Sequence, residues 1–215
     1  MPSRYPIFID LEGQPVLVVG GGPLAMGRVS RLLEAGAKVT LVAPVVTDEL
    51  RALAQAGALD WQGRAFRAGD VAGRYLVLAA TGSQDGDLAV LSAARAVGTL
   101  ASVADEGVRG DFALPSLVEK GPIGVAVSTG GAAPGFADLL AAELGVRLTD
   151  RLPEYLGLLE ELRQALIEQF PEEPRKRERR LAEALELSEA RRLAESGDLE
   201  GARSVLRRAA GLDPP

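Results

Sequence analysis

Val16-Leu17-Val18-Val19-Gly20-Gly21-Gly22-Pro23-Leu24-Ala25-Met26-Gly27 is the stretch whose reading decides the fold. Four apolar residues stop at three glycines, and an apolar-periodic segment then runs as a helix to Gly36. A buried strand, a glycine bend and a helix start form the unit that holds a dinucleotide pyrophosphate. The glycines let backbone pass close to the phosphates, and the helix N-terminus offers free N–H groups and a positive dipole end. Gly20, Gly22 and Ala25 fit the G-x-G-x-x-A spacing in that context.

Working outward, strand and helix alternate. Strands are predicted over 16–19, 38–43, 59–62, 75–80 and 99–104, with helices over 22–35, from Asp48 after a Thr47 cap, and over 85–97. Short connections between repeated strand–helix units imply an α/β fold with a parallel, doubly wound, Rossmann-like sheet. The rhythm changes after Asp105. Two apolar strands, 112–118 and 123–128, flank a Glu119-Lys120-Gly121-Pro122 turn. A lone hairpin is marginal in water, so this one is expected to pair with a second chain or with the main sheet. Ser128-Thr129-Gly130-Gly131 leads to a helix over 134–148, and everything from Thr149 onward reads helical. There Leu152, Leu156, Leu159, Leu162 and Leu166 form an apolar stripe. Pro171 to Pro174 breaks it, the basic run 175–180 reads as a solvated helix face, and the last segment resembles one helix pair of a tetratricopeptide-type repeat.

The 215 residues contain neither Cys nor His and carry a net charge of −6. Thiolate chemistry, disulfides and zinc–thiolate sites are thereby excluded, and proton transfer falls to Asp, Glu, Lys, Tyr or a hydroxyl. The acidic balance argues against a nucleic-acid surface. No apolar run approaches the roughly 20 residues of a membrane span, and the N-terminus lacks a signal-peptide pattern, so a cytoplasmic protein is expected. No metal ligand set is assigned.

Candidate site residues gather at the carboxyl ends of the predicted strands, where open α/β sheets bind ligands. The end of the second strand has no Asp or Glu for ribose hydroxyls and no Arg for a 2′-phosphate. Adenosine would rest on backbone around Ala43, Pro44 and Val45, with NAD preferred over NADP. Thr81 follows the fourth strand and could line the nicotinamide side or simply cap a loop. Asp105 follows the fifth and is the best acid/base candidate, a turn cap being the alternative. Arg109 could lower its pKa or bind an anion. Gly130 and Gly131 could receive a carboxylate or phosphate through backbone N–H groups, or could merely connect strand to helix.

YPIFIDLEGQPVLVVGGGPLA, RLLEAGAKVTLVAP, YLVLAATGS, SVADE and FALPSLVEKGPIGVAVSTGGAAP, in this order over residues 4–150, resemble the precorrin-2 dehydrogenase family that also forms the N-terminal part of siroheme synthases. The resemblance implies an NAD-binding domain over 1–111, a central dimerisation region over 112–149 with interlocked homodimers, and a helical domain over 150–215. It implies NAD-dependent oxidation of precorrin-2 to sirohydrochlorin, on the way to siroheme or cobalamin. Asp105 falls on the family's fifth-strand Asp, as general base or as the group that positions the macrocycle. The cofactor turn falls on Gly20, Gly21, Gly22, Pro23 and Leu24, further cofactor contacts on Pro44 and Val45, and the tetrapyrrole-facing loop on Ser128. For this polycarboxylate substrate, Arg109, Lys120 and Arg147 are expected to form a basic patch. Ser102 stands where the family often has Asn. Some members also insert iron, which would here fall to carboxylates such as Asp105. The competing reading is an NAD-responsive regulator or scaffold without catalysis.

Overall fold

The computed structural model describes residues 4–104 and 110–212. The chain divides into two compact units, Met1–Pro115 with Ser128–Phe136, and Ser116–Val127 with Ala137–Pro215.

In the first unit the elements run β1 (Pro15–Val19), α1 (Pro23–Glu34), β2 (Lys38–Val42), α2 (Asp48–Gln55), β3 (Asp60–Gln62), a 3-10 turn (Ala68–Val71), β4 (Leu76–Ala79), α3 (Gln84–Ala96) and β5 (Leu100–Val103). The sheet order is β3-β2-β1-β4-β5, with every pairing parallel. Strand order reverses between β1 and β4, which creates the crevice that this topology uses for dinucleotides.

The apolar run of β1 exists because both sheet faces are covered. Val16 and Val18 pack with Ala25, Val29 and Leu32 of α1 and Leu50 of α2. Leu17 and Val19 point to the opposite face, among Val90, Leu91 and Ala94 of α3. Thr47 caps α2 as expected, its side chain accepting from the Leu50 N–H.

The second unit begins with β6 (Ser116–Lys120) and β7 (Ile123–Val127), an antiparallel pair closed by Gly121-Pro122. Gly121, at φ +55°, supplies the positive dihedral that the two-residue turn requires. The first strand of the hairpin thus starts at Ser116, later than expected, and its turn is shorter. Phe112 instead packs against the first core, and its carbonyl accepts the Ser102 hydroxyl at 2.7 Å. Leu117, Val118, Ile123, Val125 and Val127 are only half-buried.

Helix α4 (Pro134–Gly145) ends three residues early. Then come α5 (Leu152–Gln169), α6 (Pro174–Leu185), α7 (Ser188–Ser196) and α8 (Leu199–Ala209). Tyr155, Leu158, Leu162 and Leu166 form the buried stripe of α5, packed on Ala184, Ala190, Ala194, Ala202 and Leu206. The expected stripe was rotated: Leu162 and Leu166 hold, Leu152 and Leu159 flank the core, and Leu156 is exposed. Small alanines opposite α5 let the helices approach closely, so the tyrosine and the interleaved leucines fill the seam.

Candidate cofactor and substrate site

The three glycines have three different jobs. Gly20 sits at φ +122°, and a Cβ there would lie 2.0 Å from the Ala80 carbonyl oxygen and 2.9 Å from the Thr81 nitrogen. Gly21 meets the other neighbour, with a Cβ 2.0 Å from the Val45 carbonyl oxygen. These two glycines let the bend pass between the ends of β4 and β2. Gly22 has nothing within 4 Å of its Cβ position, so its open side is available to a ligand.

Gly22 is the N-cap of α1 and Pro23 occupies the first turn, so no side chain caps the helix. No acidic residue lies in that turn either. Leu24 is 44 % exposed, whereas Ala25, at the third position of the fingerprint, is fully buried and lets helix pack on strand. An uncapped helix N-terminus beside an open glycine suits an anion. The residues therefore fit a dinucleotide, with Gly22 and the first-turn amide of Leu24 as the groups that would hold its pyrophosphate.

The structure brings Pro44 and Val45 to this bend. The Thr47 N–H donates to the Gly21 carbonyl at 2.9 Å, tying the loop after β2 to the glycines. Val45 is 73 % exposed. Ala43 is engaged within the fold: its N–H donates to Gln62 O, and its carbonyl accepts from Trp61 Nε1 at 3.0 Å. Of the adenosine-side backbone considered in the sequence, Pro44 and Val45 remain free of those bonds.

Thr81 arrives from β4 next to Gly20, with its side chain turned inward. Asp87 Oδ1 accepts from the Thr81 N–H at 2.9 Å and from its hydroxyl at 2.7 Å. Gly86 makes room for that hydroxyl, since a Cβ there would come within 2.8 Å of Thr81 Oγ1. Sequence reading missed Asp87. The signal was present: Asp87, Val90, Leu91 and Ala94 fall at i, i+3, i+4 and i+7 on the buried face of α3, and one of them is a carboxylate.

Asp105 and Arg109 lie outside the described residues. The described residues that flank this segment in the sequence are held by hydrogen bonds. The Asp111 N–H donates to Ala101 O and its carboxylate accepts from the Ala101 N–H, at 2.8 and 3.0 Å. Arg95 donates to Asp111 Oδ1 through Nε and Nη2. Ser102, in the family's Asn position, bonds Phe112 as described and bridges to Gly110.

Ser128 Oγ accepts from the Gly130 N–H at 3.2 Å, and Thr129 Oγ1 accepts from the Ala133 N–H at the same distance. Gly130 and Gly131 both have positive φ, +66° and +86°. Among the described residues, the Gly131 N–H has no partner within the chain, which leaves it for a ligand. Lys120 and Arg147 belong to the second unit. The Lys120 ammonium is paired with Asp150 Oδ1 at 2.5 Å, and this bond holds the Asp150 carboxyl below its ordinary range. Arg147 is exposed. Among the described residues no group of three His, Cys, Asp or Glu is placed to hold a metal ion, and no helix is long and apolar enough to cross a membrane.

Residues 7–116 match a family model described as "Putative NAD(P)-binding". Siroheme synthase 1 of Aeromonas salmonicida (strain A449) is 40% identical over 152 residues, 71% of this chain and 32% of the relative. The siroheme synthase of Actinobacillus pleuropneumoniae serotype 3 is 34% identical over 205 residues, 95% of this chain and 42% of the relative. The chain thus spans less than half the length of these curated relatives. Among solved structures, SirC, a precorrin-2 dehydrogenase, matches with a TM-score of 0.76 and 25% identity, over 97% of this chain and 100% of that one. On these matches the chain belongs to the precorrin-2 dehydrogenase and siroheme synthase N-terminal family, and residues 7–116 are its NAD(P)-binding part.

Proposed function

We propose that this protein oxidises precorrin-2 to sirohydrochlorin with NAD⁺, serving siroheme or cobalamin formation. The open Gly22 at an uncapped helix start, on the switch-point edge, is the observation that carries the cofactor half of this reading. The likeness to a precorrin-2 dehydrogenase over 97% of this chain supports the substrate half. The bound cofactor supplies a hydride acceptor. Asp105, two positions after β5 in the sequence, takes a substrate proton or positions the macrocycle. Arg109 and Lys120 offer charge to the peripheral carboxylates, Lys120 by exchanging Asp150 for a substrate carboxylate. Ser128 orders the loop through the Gly130 N–H, and the Gly131 N–H donates to the substrate.

The same reading places the enzyme in the cytoplasm as a homodimer, organised as 1–111, 112–149 and 150–215. The half-buried apolar strands β6 and β7 support the central segment as the dimer contact, since covering them favours association. The test is Asp105→Ala. The variant is expected to bind NAD⁺ like wild type and to lose most of its kcat for precorrin-2. Full turnover in that variant removes Asp105 from the mechanism, and a wild-type protein that forms no sirohydrochlorin refutes the reaction itself.

A further inference from the structure

We propose that Asp87 biases the cofactor site toward the oxidised, positively charged form of the nicotinamide cofactor. The proposal rests on the NAD reading above. Asp87 is 7% exposed, lies on the buried face of α3, and uses one carboxylate oxygen to hold both the N–H and the hydroxyl of Thr81. Among the described residues no Lys or Arg pairs with it. Burying an unpaired carboxylate is costly, and the α3 N-terminus offsets only part of that cost. Holding Thr81 does not require the charge, because an amide oxygen accepts the same two bonds.

The carboxylate's position suggests what the charge does. In this topology each half of the sheet serves one mononucleotide. The glycine bend and β2 take the pyrophosphate and adenosine side, which leaves the β4–β5 half for the nicotinamide. Asp87 holds Thr81 just past the end of β4, and it is the Thr81 nitrogen that lies against Gly20. Oxidised and reduced nicotinamide differ by one positive charge on the ring. A negative charge held behind Thr81, buried and only partly screened by water, favours the oxidised ring.

The test uses the full chain with NAD⁺ and NADH as separate calorimetric titrants, in wild type and Asp87→Asn. The variant should keep its melting temperature and its NADH affinity, while NAD⁺ affinity falls by about three- to tenfold, as expected for one partly screened charge. An unchanged ratio of the two affinities overturns the proposal, as does an equal loss of both, which would mark Asp87 as a loop anchor only. Asp87→Glu, which keeps the charge, should keep the wild-type ratio of the two affinities; a ratio shifted as in Asp87→Asn overturns the proposal, and so does failure of Asp87→Asn to fold, because the charge would then serve the fold. If wild type binds neither nucleotide, the cofactor reading itself is refuted, a result distinct from binding with an unshifted ratio.

Discussion

Gly20→Ala and Gly22→Ala add the same methyl group two positions apart and should have opposite consequences. At Gly20 the φ of +122° is open to glycine almost alone, so an alanine there costs about 1–3 kcal/mol in backbone strain. Its Cβ would also sit 2.0 Å from Ala80 O, and relieving that overlap against backbone costs a further ~1–3 kcal/mol. Together these amount to about 2–6 kcal/mol, which for a chain of this length lowers Tm by roughly 5–20 °C. At Gly22 the backbone is extended (φ −84°, ψ −176°) and the methyl meets nothing. A weaker N-cap costs about 0.5–1 kcal/mol and reduced unfolded-state freedom returns ~0.4–1 kcal/mol, so stability changes little. The methyl does occupy the face toward which the pyrophosphate would come, and Kd for NAD⁺ should rise at least about tenfold, or ~1.4 kcal/mol. Thermal unfolding by circular dichroism and calorimetric titration with NAD⁺ read the two effects separately. Wild-type NAD⁺ affinity in Gly22→Ala, or an unchanged Tm in Gly20→Ala, refutes the division of labour among the glycines.

Other expectations follow from single contacts. Arg109→Ala should raise KM for precorrin-2 more than it lowers kcat, because it removes binding common to ground and transition states; an unchanged KM counts against that role. Asp70 is held below its ordinary carboxylate range by the Arg64 side chain and the Arg67 N–H. Its stabilising effect is therefore full above the unfolded carboxyl pKa and disappears as pH falls through the lower folded value, so Asp70→Asn should flatten the acid limb of a stability–pH curve. Asp111→Ala breaks the Arg95 pair and leaves the Ala101 N–H without its carboxylate partner, a loss of about 1–3 kcal/mol by urea unfolding. Leu166→Ala, at 1% exposure in the α5 seam, should cost ~2–5 kcal/mol by the same measurement.

The first unit was legible because its strands are doubly covered. Val16 to Val19 must be apolar on both faces, and Gly20, Pro44, Gly63 and Gly82 follow closely on the ends of β1, β2, β3 and β4. The second unit was less so. Phe112 looks like strand, yet Asp111 and Ser102 fix the backbone there through side-chain bonds that periodicity does not encode. On α5 an all-leucine count chose the wrong line because Tyr155 and Leu158 take the core side, a choice set by the alanines of α6 to α8 from far along the chain. Within the site, the glycine bend announced itself by spacing. Thr81 was found as a loop residue, but its inward turn depends on Asp87, six positions on and visible only as a polar interruption of an apolar stripe. The Lys120–Asp150 pair spans thirty positions and left no local trace.

Backbone amide resonances followed while NAD⁺ is titrated into the chain test the glycine bend as the cofactor site most directly. The largest shifts are predicted at Gly21, Gly22, Leu24, Val45 and Thr81, around one edge of the parallel sheet. Saturating NAD⁺ that leaves those amides unmoved, or that moves a set elsewhere, would contradict it.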